Sequence, residues 1–300
     1  MESFMTDCII IGSGLAGIST ALTLQANGKS FVLLGRAELS DKIGKAEKIH
    51  NYPGLSDITG KDFVLALQKQ LQEANISVTE ERAMSVYALD GKFGVATQEG
   101  GYYEGKTLVL ACGVESVKTV RGEAEFLGRG VSYCATCDGF LYKNKRIAVI
   151  CTSKRLEYEI EHLAGFAEKV YLIPMYKPVE MNGNNVQILR QMPQSIEGEN
   201  RVERLTFSAP ITEEGEKELA VDGVFMLRES LSPAVLLNGL KTENGHIVVD
   251  GKMQTNLQGC FAAGDCTGRP YQYAKAVGEG NIVAHSVSEY LSKGSVTSLG

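Results

Sequence analysis

The sequence has no surplus of positive charge: 36 acidic against 30 basic residues leave a formal charge of −6 over 300 residues. A general nucleic-acid binder needs a basic face to displace counterions from phosphates, so small molecules or proteins are the expected partners. Nor is there a long apolar run near its start. Met1 to Thr6 carries no basic side chain, and the run Cys8 to Ile11 is far too short for a signal or membrane helix, so a cytoplasmic protein is expected. No low-complexity tract interrupts the chain. A hydrophobic content of 44% over this length suits two domains with a core each, and 33 glycines suit a turn-rich α/β protein.

The cysteines number seven, an odd count that fits no disulfide scaffold. Cys8, Cys112, Cys151, Cys260 and Cys266 sit in apolar or glycine-rich runs, where a reduced, buried thiol is expected. Cys134-Ala135-Thr136-Cys137 is different. Two thiols separated by two residues at a turn close a small ring with little backbone change, which suits repeated oxidation and reduction. Half of a zinc site would need a second pair of matching spacing, which Cys260 and Cys266 do not supply, so no metal is expected. Asp138 follows directly. A carboxylic acid there is able to exchange the proton that thiolate chemistry moves, although Asp before Gly is also a common turn former.

Thr6 to Ile11 is a short apolar run followed at once by Gly12-Ser13-Gly14-Leu15-Ala16-Gly17 and then by a helical stretch. The pattern is strand, glycine turn, helix. Gly12 permits the tight turn, Gly14 lets the backbone approach a pyrophosphate, and Gly17 allows close helix packing, with phosphate at the helix N-terminus. A second apolar strand, Phe31 to Leu34, follows at the distance a βαβ unit needs. The acidic residue usual after that strand is missing. The sequence there reads Gly35-Arg36-Ala37-Glu38, so the ribose contact differs and Gly35 and Arg36 become the candidates for it.

Near the other end, Gly259-Cys260-Phe261-Ala262-Ala263-Gly264-Asp265 places a carboxylate at a strand's carboxyl edge, where it would accept a hydrogen bond from a flavin's ribityl hydroxyl. Tyr271, Gln272, Tyr273 and Ala274 come next. Gly278 and Gly280 are read as opening an amphipathic helix that runs to Tyr290 and turns a positive dipole end toward the flavin.

Together these ends resemble the split FAD domain of the low-molecular-weight thioredoxin reductases. The resemblance spans nearly the whole chain, including Asn51-Tyr52-Pro53-Gly54, Ala111-Cys112-Gly113, Gly128-Arg129-Gly130-Val131-Ser132 and Cys134 to Gly139. It implies an α/β fold of two Rossmann-like domains of the three-layer ββα, FAD–NAD(P)-binding type. The FAD domain would be split into residues 1–117 and 241–300 around a central redox domain, 118–240. It implies FAD contacts at Asn51, Ala111, Gly113, Gly264, Asp265 and Gln272, with Ala83 near the adenine, and Tyr271 where relatives carry a basic residue. It also makes Cys137 the flavin-facing thiol, Cys134 the thiol that attacks thioredoxin's disulfide, and Asp138 the acid–base. A homodimer rests on the resemblance alone.

The central segment opens again as strand and helix, Arg146 to Ile150 and Leu156 to Gly165, with a second strand at Val170 to Ile173. In thioredoxin reductases this fold takes NADPH through a glycine-rich turn and a His-Arg-Arg cluster. Here the turn reads Cys151-Thr152-Ser153-Lys154-Arg155-Leu156, and the second strand ends Pro174-Met175-Tyr176-Lys177. Side chains on every turn residue obstruct a pyrophosphate, so another electron donor is expected. The resemblance narrows to the pyridine-nucleotide-independent branch, the ferredoxin-dependent flavin thioredoxin reductases. Lys143, Lys145, Arg146, Lys154 and Arg155 offer an acidic ferredoxin a docking patch, or merely solubilise the strand's start. An NADPH-dependent enzyme with a degenerate site and a non-catalytic FAD-binding relative are the alternatives; the intact Cys134, Cys137 and Asp138 set disfavours the second and excludes a ferredoxin–NADP reductase.

Overall fold

The computed structural model describes residues 5–114, 120–176, 183–228 and 233–296, with the side chains of residues 41 and 294–296 left aside. The expected boundary at 117/118, Lys177 and the last residues of the tail lie outside them. The chain forms two compact units, one of residues 1–114 and 232–300 and one of residues 115–231.

The first unit begins with β1 (Thr6–Ile11), α1 (Leu15–Ala26) and β2 (Phe31–Leu34), a βαβ unit with β1 and β2 parallel. The strands are continuous apolar runs because both sheet faces are covered, and Cys8, Ile9 and Ile10 have no exposed surface. After a single turn, α2 (Asp41–Gly44), comes α3 (Gly60–Glu73). Thr59 caps α3 by accepting the Asp62 N–H, and Phe63, Leu67 and Leu71, spaced by four residues, form its buried stripe. β3 (Ala83–Leu89), β4 (Lys92–Thr97) and β5 (Tyr102–Leu110) form an antiparallel meander. β5 pairs with β1 along one edge, so it carries the chain to the carboxyl edge of the sheet beside the glycine turn.

The second unit is built on a parallel sheet of order β6-β13-β7-β8-β9. β6 (Val131–Ser132) leads into the single turn α4 (Ala135–Asp138). β7 (Arg146–Cys151), α5 (Glu157–Ala164) and β8 (Lys169–Pro174) form the expected second βαβ unit, followed by β9 (Val186–Ile188). β10 (Pro193–Glu197), β11 (Arg204–Phe207) and β12 (Glu218–Ala220) make a small antiparallel sheet, and β13 (Gly223–Leu227) returns beside β7. Ile147, Val149, Ile160, Leu163, Leu172 and Phe225 form its core.

The remainder of the chain completes the first unit. It re-enters that unit at residue 232 rather than after 240. The cause is α6 (Pro233–Leu236), which packs on β3, and Leu237, which bridges to Val86. A hairpin of β14 (Thr242–Glu243) and β15 (His246–Ile247) precedes β16 (Cys260–Ala262), which lies parallel to the last residues of β5. α7 (Tyr273–Val296) then packs along α1. The helix begins at Tyr273 and passes Tyr290, so its glycines do not open it. Gly280 instead serves close packing, since a Cβ there would stand 2.3 Å from the Ala16 carbonyl oxygen.

Candidate functional site

The carboxyl edge of the first unit's sheet carries a cleft lined by Gly14, Leu15, Ala16, Ala111, Gly113, Gly264, Asp265, Tyr271, Gln272 and Tyr273, all expected from the sequence. Ser40, Lys42, Ile43 and Ala276 also line it, and a single-turn helix with its approach and a register on α7 give no motif by which to find them; Ala263, which lines it too, sits in the run that leads to Gly264-Asp265. The glycines divide by role. At Gly12, with φ of +114°, a Cβ would lie 2.3 Å from the Ala111 oxygen, and at Gly17 one would lie 1.8 Å from the Gly12 oxygen. Both positions are filled by protein. At Gly14 and Gly113 a Cβ would meet nothing within 4 Å, so those backbones face open space. Ser13 lies beneath the turn: its hydroxyl accepts the Arg36 N–H at 2.8 Å and donates to the Arg36 oxygen at 3.0 Å, and a Cβ on Gly35 would strike it. Ala83 is buried at the start of β3, and Ala274 is exposed.

Asp265 is half-buried at this edge, and among the described residues none donates a hydrogen bond to its carboxylate. Burial raises its pKa, against the opposing charges of Lys42 and Lys275. The turn beneath it is held from α7. Glu279 accepts the Gly264 N–H at 2.8 Å and the Thr267 hydroxyl at 2.9 Å, while Lys275 donates to the Gly264 oxygen at 3.0 Å and pairs with Glu279. Asn51 donates to Gln272 at 2.8 Å, and the Tyr271 hydroxyl meets His246 Nε2 at 2.6 Å. Lys275, Glu279 and His246 escaped the sequence reading because their roles come from tertiary contacts.

In the second unit Cys134 and Cys137 are joined as a disulfide, with Cα atoms 5.3 Å apart. Cys134 is the N-cap of α4, and its Sγ accepts the Cys137 N–H at 3.1 Å. Cys134 is buried and Cys137 exposed. The Ser132 hydroxyl donates to Asp138 at 2.6 Å and accepts the Cys134 N–H at 3.1 Å, so one buried serine ties the carboxylate to the redox turn. Of the free cysteines, Cys112 alone departs from the expected burial: it is partly exposed, because it lies between the cleft residues Ala111 and Gly113.

The model of the pyridine nucleotide-disulphide oxidoreductase family matches residues 6–153 and 178–280. The thioredoxin reductase of Helicobacter pylori is 34% identical, with 96% of this chain and 99% of that protein aligned. The chain belongs to the thioredoxin reductase family. A ferredoxin-flavin thioredoxin reductase from Clostridium acetobutylicum is 40% identical, covers 98% of this chain and 99% of its own, and superposes with a TM-score of 0.88. A thioredoxin reductase from Gloeobacter violaceus is 28% identical with a TM-score of 0.78, covering 97% and 95%. Members of the thioredoxin reductase family carry a flavin, and the first unit's cleft fits one: it offers open backbone at Gly14 and a half-buried carboxylate to which no described residue donates.

The family model passes over residues 154–177. The turn after β7 is a 3₁₀ turn, Lys154–Leu156, and the first turn of α5 carries Glu157 and Glu159, the latter fully buried. The Tyr176 phenol adjoins Glu157 and the Cys151 thiol; burial raises the phenol's pKa and pushes that of Cys151 up to about 11. A thiol, a phenol and two carboxylates thus gather at the turn and the first turn of α5, the end at which a dinucleotide fold holds a pyrophosphate, and the acidic pair opposes an anion there.

Proposed function

We propose that this chain is an FAD-dependent thioredoxin reductase that takes its electrons from reduced ferredoxin. The observation that carries the reading is the pairing of an intact Cys134–Cys137 disulfide with a second nucleotide fold whose phosphate-binding turn has lost its glycines and is bordered by Glu157, Glu159 and Tyr176. The Clostridium acetobutylicum structure, with ferredoxin and flavin in its name, supports it.

In this reading Gly14, Leu15 and Ala16 would offer backbone N–H groups to the FAD pyrophosphate, Asp265 would accept from the ribityl chain, and Gln272, held by Asn51, would help to hold the flavin. FAD bound there would collect electrons singly and release them as a pair. The Cys134–Cys137 bond takes up that pair and two protons, giving two thiols, with Asp138 exchanging the proton of the nascent thiolate. The Cys134 thiolate then attacks the thioredoxin disulfide and forms a mixed disulfide, releasing one thiolate of thioredoxin. Cys137 attacks the Cys134 sulfur, restores the starting disulfide and frees the second thioredoxin thiol. Exposed Lys143, Arg146, Lys154 and Arg155 provide basic charge for an acidic donor. Action in the cytoplasm as a homodimer belongs to the same proposal. Among the described residues no helix is long and apolar enough to cross a membrane.

Anaerobic mixing of the flavin-loaded protein with reduced ferredoxin, NADPH or NADH tests the donor. Ferredoxin should bleach the flavin; rapid bleaching by NADPH would sink this reading. Cys134→Ser should leave the flavin reducible and stop thioredoxin turnover.

A further inference from the structure

The second unit contains a buried ion pair that the chemistry above does not use. Glu123 and Arg228 are each 2% exposed, and Arg228 Nη2 donates to Glu123 Oε2 at 2.8 Å. The same oxygen accepts the Val120 N–H at 2.9 Å, while Glu123 Oε1 accepts the Tyr133 hydroxyl at 2.6 Å. Both carboxylate oxygens are therefore engaged.

The partners are distinctive in their places along the chain. Val120 is the first described residue after the chain enters this unit, and Arg228, just after β13, is the last described before it leaves. Tyr133 precedes Cys134. The entering segment is itself fastened to β10, since Ile196 N–H donates to the Arg121 oxygen at 2.8 Å and Arg121 bridges to Ser195. One carboxylate thus joins the entry, the exit and the redox loop. A buried pair of this kind gains little over well-packed apolar side chains, because desolvating two charges offsets their attraction. What it supplies is a fixed geometry.

We propose that Glu123 is a positioning residue for the redox pair, locking the loop that bears Cys134 to both segments by which the chain enters and leaves the unit. The proposal rests on Cys134 and Cys137 being the redox-active pair. Breaking the lock leaves the disulfide chemistry intact but lets the loop wander from its place relative to the crossings, so electron delivery slows while the pair's own thermodynamics stay as they were.

The test uses flavin-loaded enzyme, photoreduced anaerobically faster than its disulfide is reduced, with the return of oxidised-flavin absorbance followed as electrons pass to Cys134–Cys137. Two variants are compared. Glu123→Met with Arg228→Met removes both charges together and avoids an unpaired buried ion; Tyr133→Phe removes only the phenol's hydrogen bond. The double variant should melt somewhat below the wild type, since the Val120 N–H and the Tyr133 hydroxyl lose their acceptor, but keep the pair's midpoint potential and transfer electrons about 10-fold more slowly, as expected for a small misplacement of reacting groups. Tyr133→Phe should show the same pattern with a smaller factor. Wild-type transfer rates in both variants, or in Tyr133→Phe alone if the double variant does not fold, overturn the proposal, and so does a slowed rate accompanied by a shifted potential. A wild type that passes electrons to its disulfide yet leaves thioredoxin oxidised refutes the functional reading instead, and does not touch the role of Glu123.

Discussion

Asp265 shows how a single side chain can oppose folding and favour binding. Burial raises its pKa above the ordinary value of 3.8, so the flavin-free folded state holds the proton more tightly than the unfolded chain. Stability then falls as the pH rises from 3.8 through the folded-state pKa, and at neutral pH the flavin-free protein carries the whole penalty. A ribityl hydroxyl donating to the carboxylate would offset it. Asp265→Asn should therefore raise the urea midpoint of the flavin-free protein at pH 7, by a margin that shrinks as the pH is lowered, and weaken flavin retention in the loaded protein. A flavin-free variant less stable than wild type at pH 7 would contradict this account. The side chains around Asp265 illustrate what the sequence conveys and what it withholds. Gly264-Asp265 after an apolar strand is legible because chain order alone sets it at a strand end, whereas Lys42 and Lys275 reach it only through the fold.

Among the elements, the turn between β1 and α1 separates structural from functional glycines. Gly12→Ala places a methyl group 2.3 Å from the Ala111 oxygen at a φ of +114°, and should cost about 3 kcal/mol of stability. Gly14→Ala meets no atom within 4 Å and should leave chemical denaturation nearly unchanged while lowering flavin affinity, as titration would measure. Unchanged flavin affinity in Gly14→Ala would show that the open space at Gly14 is not where the flavin binds. The two βαβ units were legible because continuous apolar strands, with a glycine turn in the first unit alone, are local signals. The extent of α7 was not. Its glycines read as a beginning because packing against Ala16, which lies at the other end of the chain, has no local trace. The losses in the second turn were legible at Cys151 to Leu156, but the carboxylates and phenol that border it were not, since Tyr176 reaches Glu157 across two strands' ends.

At the scale of the molecule, each unit has its own core, and the cleft that fits a flavin is lined by residues of the first. Loading with flavin at 100 times its dissociation constant adds about 2.7 kcal/mol to the state that binds it. Amide hydrogen exchange should therefore slow in β1, β5, α1 and α7 on loading and stay unchanged in β7, β8 and β13. Uniform slowing in both units would contradict a flavin held by the first unit's cleft alone. The first unit is also assembled from the two ends of the chain, with β16 on the edge of β5 and Ser19 and Thr20 of α1 hydrogen-bonded to α7 carbonyls at 2.8 and 3.1 Å. On the ribosome those partners emerge last. At bacterial-like synthesis rates the first 114 residues wait on the order of 10 s or more with α1's inner face bare, while residues 115–231 already have every strand they need. The newborn chain thus completes its thiol-bearing half before the half that can hold a flavin, and its longest exposure to aggregation and to chaperones belongs to the segment made first.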